Sequence, residues 1–149
     1  MLSPNFSLTE MLVSQTATRL GFDEQFNPPD QVVENLRLLC VHVLQPLRDH
    51  LGYPLKVNSG YRCRNVNTHI GGARNSQHIS GQAADIIDTY NGNGQLLGTI
   101  FRLGLPYDQV IDEFGLAWIH ISYDHNRNRN HKLRAVKDSN GRTKYINMV

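Results

Sequence analysis

Long apolar runs are missing from this sequence: nothing in it approaches the roughly 20 consecutive apolar residues that a membrane-spanning helix needs. The N-terminus MLSPNFSLTEML also lacks a basic region followed by an apolar core. No secretory signal is read there, and the expectation is a chain made in the cytoplasm. Cysteine is scarce. Cys40 and Cys63 are too few for a disulfide framework and do not stand in a C-x-x-C spacing. Excess charge is missing as well, since Lys+Arg 15 against Asp+Glu 13 leaves a formal net charge of +2. Global electrostatics therefore gives no reason to expect a nucleic-acid partner. Internal repeats, low-complexity tracts and interdomain linkers are likewise absent.

What is present suits one globular domain over residues 1–149, 40% hydrophobic and able to bury one core, with a monomer as the default. Ser7 and Glu10 form a capping box, with Phe6 and Met11 as the hydrophobic staple, so a helix is expected from Leu8 to about Gly21. Val32, Val33, Leu36, Leu39, Cys40, Val43, Leu44 and Leu47 recur at helical spacing and predict the core helix, kinked by Pro46. Beyond Gly52, short strands are expected at 55–57, 82–87, 109–114 and 118–123, with a helix at 96–103 closed by Gly104 and a loop-rich stretch over 58–82. The fold class is α+β, helices packed on a small antiparallel sheet. From about residue 124 the chain turns basic and reads as a solvated extension able to rest on an anionic polymer.

The densest chemical signal is Ser76-Gln77-His78-Ile79-Ser80-Gly81-Gln82-Ala83-Ala84-Asp85. Zinc accepts imidazole nitrogen and carboxylate oxygen, and a catalytic zinc takes three protein ligands and leaves a position for water. His78 and Asp85 offer two; on spacing alone a turn with a capping carboxylate is the stronger reading of the pair. His120, in Trp118-Ile119-His120-Ile121-Ser122, is the candidate third ligand. In a strand it shares a face with Trp118 and Ser122, away from Ile119 and Ile121. His42, His50, His69, His125 and His131 have no ligand-like partner in the sequence.

Together with Ser59-Gly60-Tyr61-Arg62 and Gly71-Gly72-Ala73, these segments resemble the M15 zinc D-alanyl-D-alanine carboxypeptidases and dipeptidases, in the family's order and over roughly residues 6–123. The resemblance implies a Hedgehog/DD-peptidase-like fold and one zinc ion on His78, Asp85 and His120. It also implies hydrolysis of peptide bonds in peptidoglycan stems, as in carboxypeptidases and in endopeptidases such as some phage endolysins. Arg62 matches the arginine that contacts substrate and steadies the oxyanion. Tyr61, next to it in the chain, and Ser76, in the His78 motif, are further substrate-binding candidates, Ser76 fitting either a substrate carboxylate or the loop backbone. Phage-mediated release to the cell wall, or action on recycled cytoplasmic muropeptides, would bring such a chain to its substrate.

One position departs from the family pattern. The acid three residues before the last histidine ligand is replaced by Ala117, which also motivates a reading as an inactive, zinc-containing cell-wall peptide-binding module. Acids stand nearby at Asp112 and Glu113. An even-numbered loop between the two strands pairs Glu113 with Trp118 and Ile111 with His120, turning Glu113 to the cleft; an odd loop selects Asp112. Even hairpin loops are common and would place Val110 and Phe114 in the core, so Glu113 is the expected general base.

Overall fold

The computed structural model describes residues 1–148 of the chain. Ser7 caps helix α1 (Leu8–Leu12), with both halves of the capping box in place, and the staple residues Phe6 and Met11 are fully buried. The expected single helix to Gly21 is two short ones. Val13 is extended, and the Ser14 side chain accepts from Ala17 N to start α2 (Gln15–Leu20), which ends on left-handed Gly21. A second good N-cap inside one apolar pattern offers the chain a place to break and restart.

The core helix is α3 (Asp30–Leu39), continued through a π turn (Cys40–Leu44) into α4 (Gln45–Leu51). Pro46 brings no N–H and its ring would strike the carbonyl four residues back. The wider π turn, in which Gln45 N–H reaches the Cys40 carbonyl five residues back, makes room for it. Leu36, Leu39, Val43, Leu44 and Leu47 are wholly buried along this rod, each contributing about 1.5–3 kcal/mol by leaving water.

Strand β1 (Lys56–Ser59) is followed by α5 (Arg64–His69) inside the stretch expected to be loop. A six-residue helix of mostly polar residues shows no apolar periodicity from which to read it. Then come β2 (Ala83–Ile87), α6 (Asn93–Leu103, ended by left-handed Gly104), β3 (Gln109–Glu113) and β4 (Trp118–Ser122). The segment expected as a solvated extension instead supplies β5 (His131–Lys137) and β6 (Thr143–Asn147). The six strands run in the order β1-β2-β4-β3-β5-β6. All neighbours are antiparallel except β3 and β5, so the sheet is mixed rather than purely antiparallel. Within the α+β class this is the main correction to the expected architecture.

One sheet face carries Ala84, Ile86, Val110, Ile119 and Ile121 into a common core with α3, α4 and α6. Pleating sends the alternate residues to the opposite face, where Asp85, Ile111, Glu113 and His120 stand. No helix among the described residues is long and apolar enough to cross a membrane.

Candidate metal centre and cleft

Three strands carry the site on the open face. In register, Asp85 of β2 pairs with His120 of β4, and His120 with Ile111 of β3. His78 comes from the turn that precedes β2 and is buried. Its Nδ1 lies 2.7 Å from the Gly60 carbonyl oxygen, and Arg62 N donates to the His78 carbonyl at 3.0 Å. Residues 60–62 and the His78 turn are thus zipped together. A side chain at residue 60 would place Cβ 2.5 Å from the Met11 carbonyl oxygen; glycine is there because the α1 backbone passes so close.

The Gly60 carbonyl can only accept, so Nδ1 of His78 carries the proton and Nε2 presents a lone pair. That Nε2 lies 3.2 Å from Asp85 Oδ1, and His120 Nδ1 lies 3.2 Å from the same oxygen. The three atoms fall within 4.8 Å of one another. Burial depresses the His78 pKa against the pull of Asp85. Burial also pulls Asp85 upward, but the neighbouring His78 and His120 hold it well below the usual carboxylate range. A tetrahedral ion with bonds of about 2.0–2.2 Å keeps its donors roughly 3.3–3.6 Å apart. The two 3.2 Å separations lie just below that range, and the imidazole and carboxylate donors suit such a cation.

The cleft beside these three side chains has a volume of about 450 Å³. Arg62 enters it from the loop before α5, its Nη1 donating to Asn67 Oδ1 at 3.2 Å and its Nη2 3.9 Å from Asp85 Oδ2. Its Nε is buried without a partner among the described residues. Burial lowers the guanidinium pKa, opposed by Asp85 and Glu113, yet an arginine stays charged at neutral pH. Asn67, which also donates to the Ala73 carbonyl at 2.9 Å, clamps Arg62 to the Gly-Gly-Ala segment. Sequence reasoning missed it because it lies on α5, in the stretch read as loop.

Glu113 pairs with Trp118 and Ile111 with His120 across the loop formed by residues 114–117, the register expected for an even loop. Glu113 lines the cleft, and burial, the largest influence on it, raises its pKa. Asp112 points to the core side, where its Oδ2 accepts from Arg134 Nε at 3.0 Å and its Oδ1 from Leu116 N at 2.7 Å. Both oxygens are committed to structure. Phe114 is not in the core as expected. Its φ of 54° turns it to the cleft, where its ring meets Trp118 edge-on with centroids 5.7 Å apart.

The remaining candidates divide. Ser76 lines the cleft, and its Oγ accepts from His78 N at 3.2 Å, so the loop-backbone role is the one observed. Tyr61 is corrected: its side chain is buried in the hydrophobic core and is not part of the cleft lining. The residues on either side of Arg62 in an extended segment point away from it, into the core. Cys40 is a core residue whose thiol is pushed up to about 12 by burial, and Cys63 is buried without a ligand role among the described residues.

A family profile described as Peptidase M15 matches residues 4–122. The chain belongs to the peptidase M15 family. The match takes in every M15 site residue described above and stops at the end of β4, before β5 and β6. The zinc D-Ala-D-Ala carboxypeptidase of Streptomyces albus G is 42% identical over 50 residues, which is 33% of this M15 chain and 20% of that protein. The similarity therefore spans about a fifth of the relative's length.

Proposed function

We propose that the protein is a zinc-dependent peptidase that hydrolyses peptide bonds in peptidoglycan stem peptides, as a D-Ala-D-Ala carboxypeptidase or an endopeptidase. The observation that carries this reading is the convergence of His78 Nε2, Asp85 Oδ1 and His120 Nδ1 on one point of the cleft in a chain of the M15 family. The relative named a zinc D-Ala-D-Ala carboxypeptidase supports the metal and the substrate class.

His78, Asp85 and His120 would hold the zinc, which when bound would supply a water acidified to a pKa of about 7 and a Lewis acid for the scissile carbonyl. The protein's own residues do the rest. Glu113, raised by burial, suits a group that takes the proton from the attacking water and passes it to the leaving amine. Arg62, fixed by Asn67, offers its cationic edge to the oxyanion. The Gly60 carbonyl holds the His78 ring in the tautomer that ligates.

The test is to incubate the purified protein with stem peptides, with and without a chelator, and follow the products by mass. Cleavage that stops on chelation and returns with zinc is expected. Cleavage indifferent to chelation, or none by the zinc-loaded protein, would overturn the reading. The binding-module alternative predicts bound peptide, no turnover, and no effect of Glu113→Ala on either affinity or zinc content.

A further inference from the structure

The β5–β6 hairpin lies beyond the family-matched residues 4–122, yet it is hydrogen-bonded into the sheet beside β3. Its two faces have separate jobs. On one, Lys132 Nζ sits over the rings of Phe101 and Tyr107, 5.4 and 5.9 Å from their centroids, and Arg134 pairs with Asp112. That face holds the hairpin down. The alternate residues Leu133, Ala135 and Lys137 must then point to the side of the metal ligands.

Register carries this across the hairpin. Glu113 pairs with Ala135 and Ala135 with Tyr145, while Lys137 pairs with Thr143. Leu133, Lys137, Thr143 and Tyr145 all line the same cleft as Arg62, His78, Glu113 and His120. Ala135 is wholly buried between Glu113 and Tyr145. Its methyl group leaves space above β5 for the Tyr145 ring to lie toward Glu113. The phenol feels the Glu113 and Asp85 carboxylates, which, after burial, raise its pKa. Lys137 Nζ donates to Thr143 Oγ1 at 3.0 Å and lies 4.9 Å from the centre of the Phe114 ring. It forms no ion pair among the described residues. The cleft thus holds two cations with different commitments: Arg62 beside Asp85 at the metal ligands, and Lys137, without a carboxylate, on the added wall.

We propose that the β5–β6 hairpin is a substrate-binding wall of this cleft, in which Tyr145 packs on the peptide and Lys137 receives a carboxylate of the substrate. The proposal rests on the peptidase reading for the identity of the peptide. The carboxylate is either the C-terminal one or one on a side chain, and both present the same charge and acceptors to an ammonium group.

The full-length, zinc-loaded protein is assayed with a stem peptide carrying both carboxylates and with two versions amidated at one or the other. Lys137→Met is expected to raise KM at least tenfold on the parent peptide while leaving kcat and zinc content unchanged, with Lys137→Arg restoring KM. Amidation of the carboxylate that Lys137 binds should raise KM in the wild type and remove the difference between wild type and K137M; amidation of the other should leave it. Tyr145→Ala should raise KM on all three peptides. An unchanged KM in both variants, or a Lys137→Met effect that persists whichever carboxylate is amidated, would overturn the proposal. Calorimetric binding of the same peptides to zinc-loaded Glu113→Gln protein keeps the two claims apart. Carboxylate-dependent binding that Lys137→Met abolishes supports the wall even if the wild type hydrolyses nothing, and binding blind to Lys137 removes it even if the wild type is active.

Discussion

His78 Nδ1 and the Gly60 carbonyl oxygen lie 2.7 Å apart, and this bond joins the His78 turn to a segment packed against α1. Residue 60 has no room for a side chain, because a Cβ would lie 2.5 Å from the Met11 carbonyl. Gly60→Ala must push the segment outward and take the acceptor of His78 with it. A loss of about 1–3 kcal/mol is expected from the overpacking, with zinc affinity falling about 10–100-fold as the ring loses its support. Denaturant melts of the metal-free protein and competitive zinc titration measure the two. Unaltered zinc affinity in the variant would mean the bond does not orient the ligand.

Neighbouring acids on β3 should behave oppositely. Glu113→Gln is expected to lower kcat by about 10²–10⁴-fold with zinc content intact. Asp112→Asn should leave kcat within a few-fold, while costing about 1–3 kcal/mol of stability through weakened bonds to Arg134 and Leu116 N. Steady-state kinetics and urea melts of both variants decide it. The reverse pattern would transfer the base to Asp112.

Arg62→Ala should reduce kcat by about 10²–10³-fold if its charge serves the oxyanion. Asn67→Ala acts through Arg62, whose Nη1 it accepts, so it should show a smaller loss of kcat at unchanged zinc content, and no further loss when combined with Arg62→Ala. Fully additive losses in that double-mutant cycle would disconnect the two residues.

Acid should loosen the His78 turn through Asp108. This buried carboxylate accepts from Arg129 Nε and Nη2, both at 2.8 Å, and from Gln77 Nε2 at 2.9 Å, and Gln77 precedes His78. Burial works to raise its pKa, but the Arg129 and Gln77 donors outweigh that and hold it at about 2. The folded value lies below the unfolded one of about 3.9. The stabilisation is therefore complete above that pH and is lost as the pH falls through about 2. Between pH 5 and 2 the urea midpoint of the wild type should drop toward that of Asp108→Asn. Parallel curves for the two proteins across that range would rule Asp108 out as the sensor.

Local chemistry was legible in the chain itself. The capping box at Ser7, the buried stripe from Val32 to Leu47, the strand alternation around His120 and the even loop that turns Glu113 to the cleft all follow from side-chain period and turn parity, which act over a few residues. The grouping of the three donors proposed to hold a metal was legible because His78 and Asp85 sit close in sequence and His120 lies in the middle of a strand whose register sets it beside Asp85. What depended on distant partners was not. Phe114 left the core because its left-handed backbone turned it around, and Tyr61 entered the core because Arg62 took the cleft side. Asn67 gained its role from Arg62 and Ala73 meeting across it. The basic segment after residue 124 carries so few apolar residues that it reads as solvated. Only the open edge of β3, which offers its backbone hydrogen bonds to β5, makes it part of the sheet and brings Lys137 and Tyr145 to the cleft.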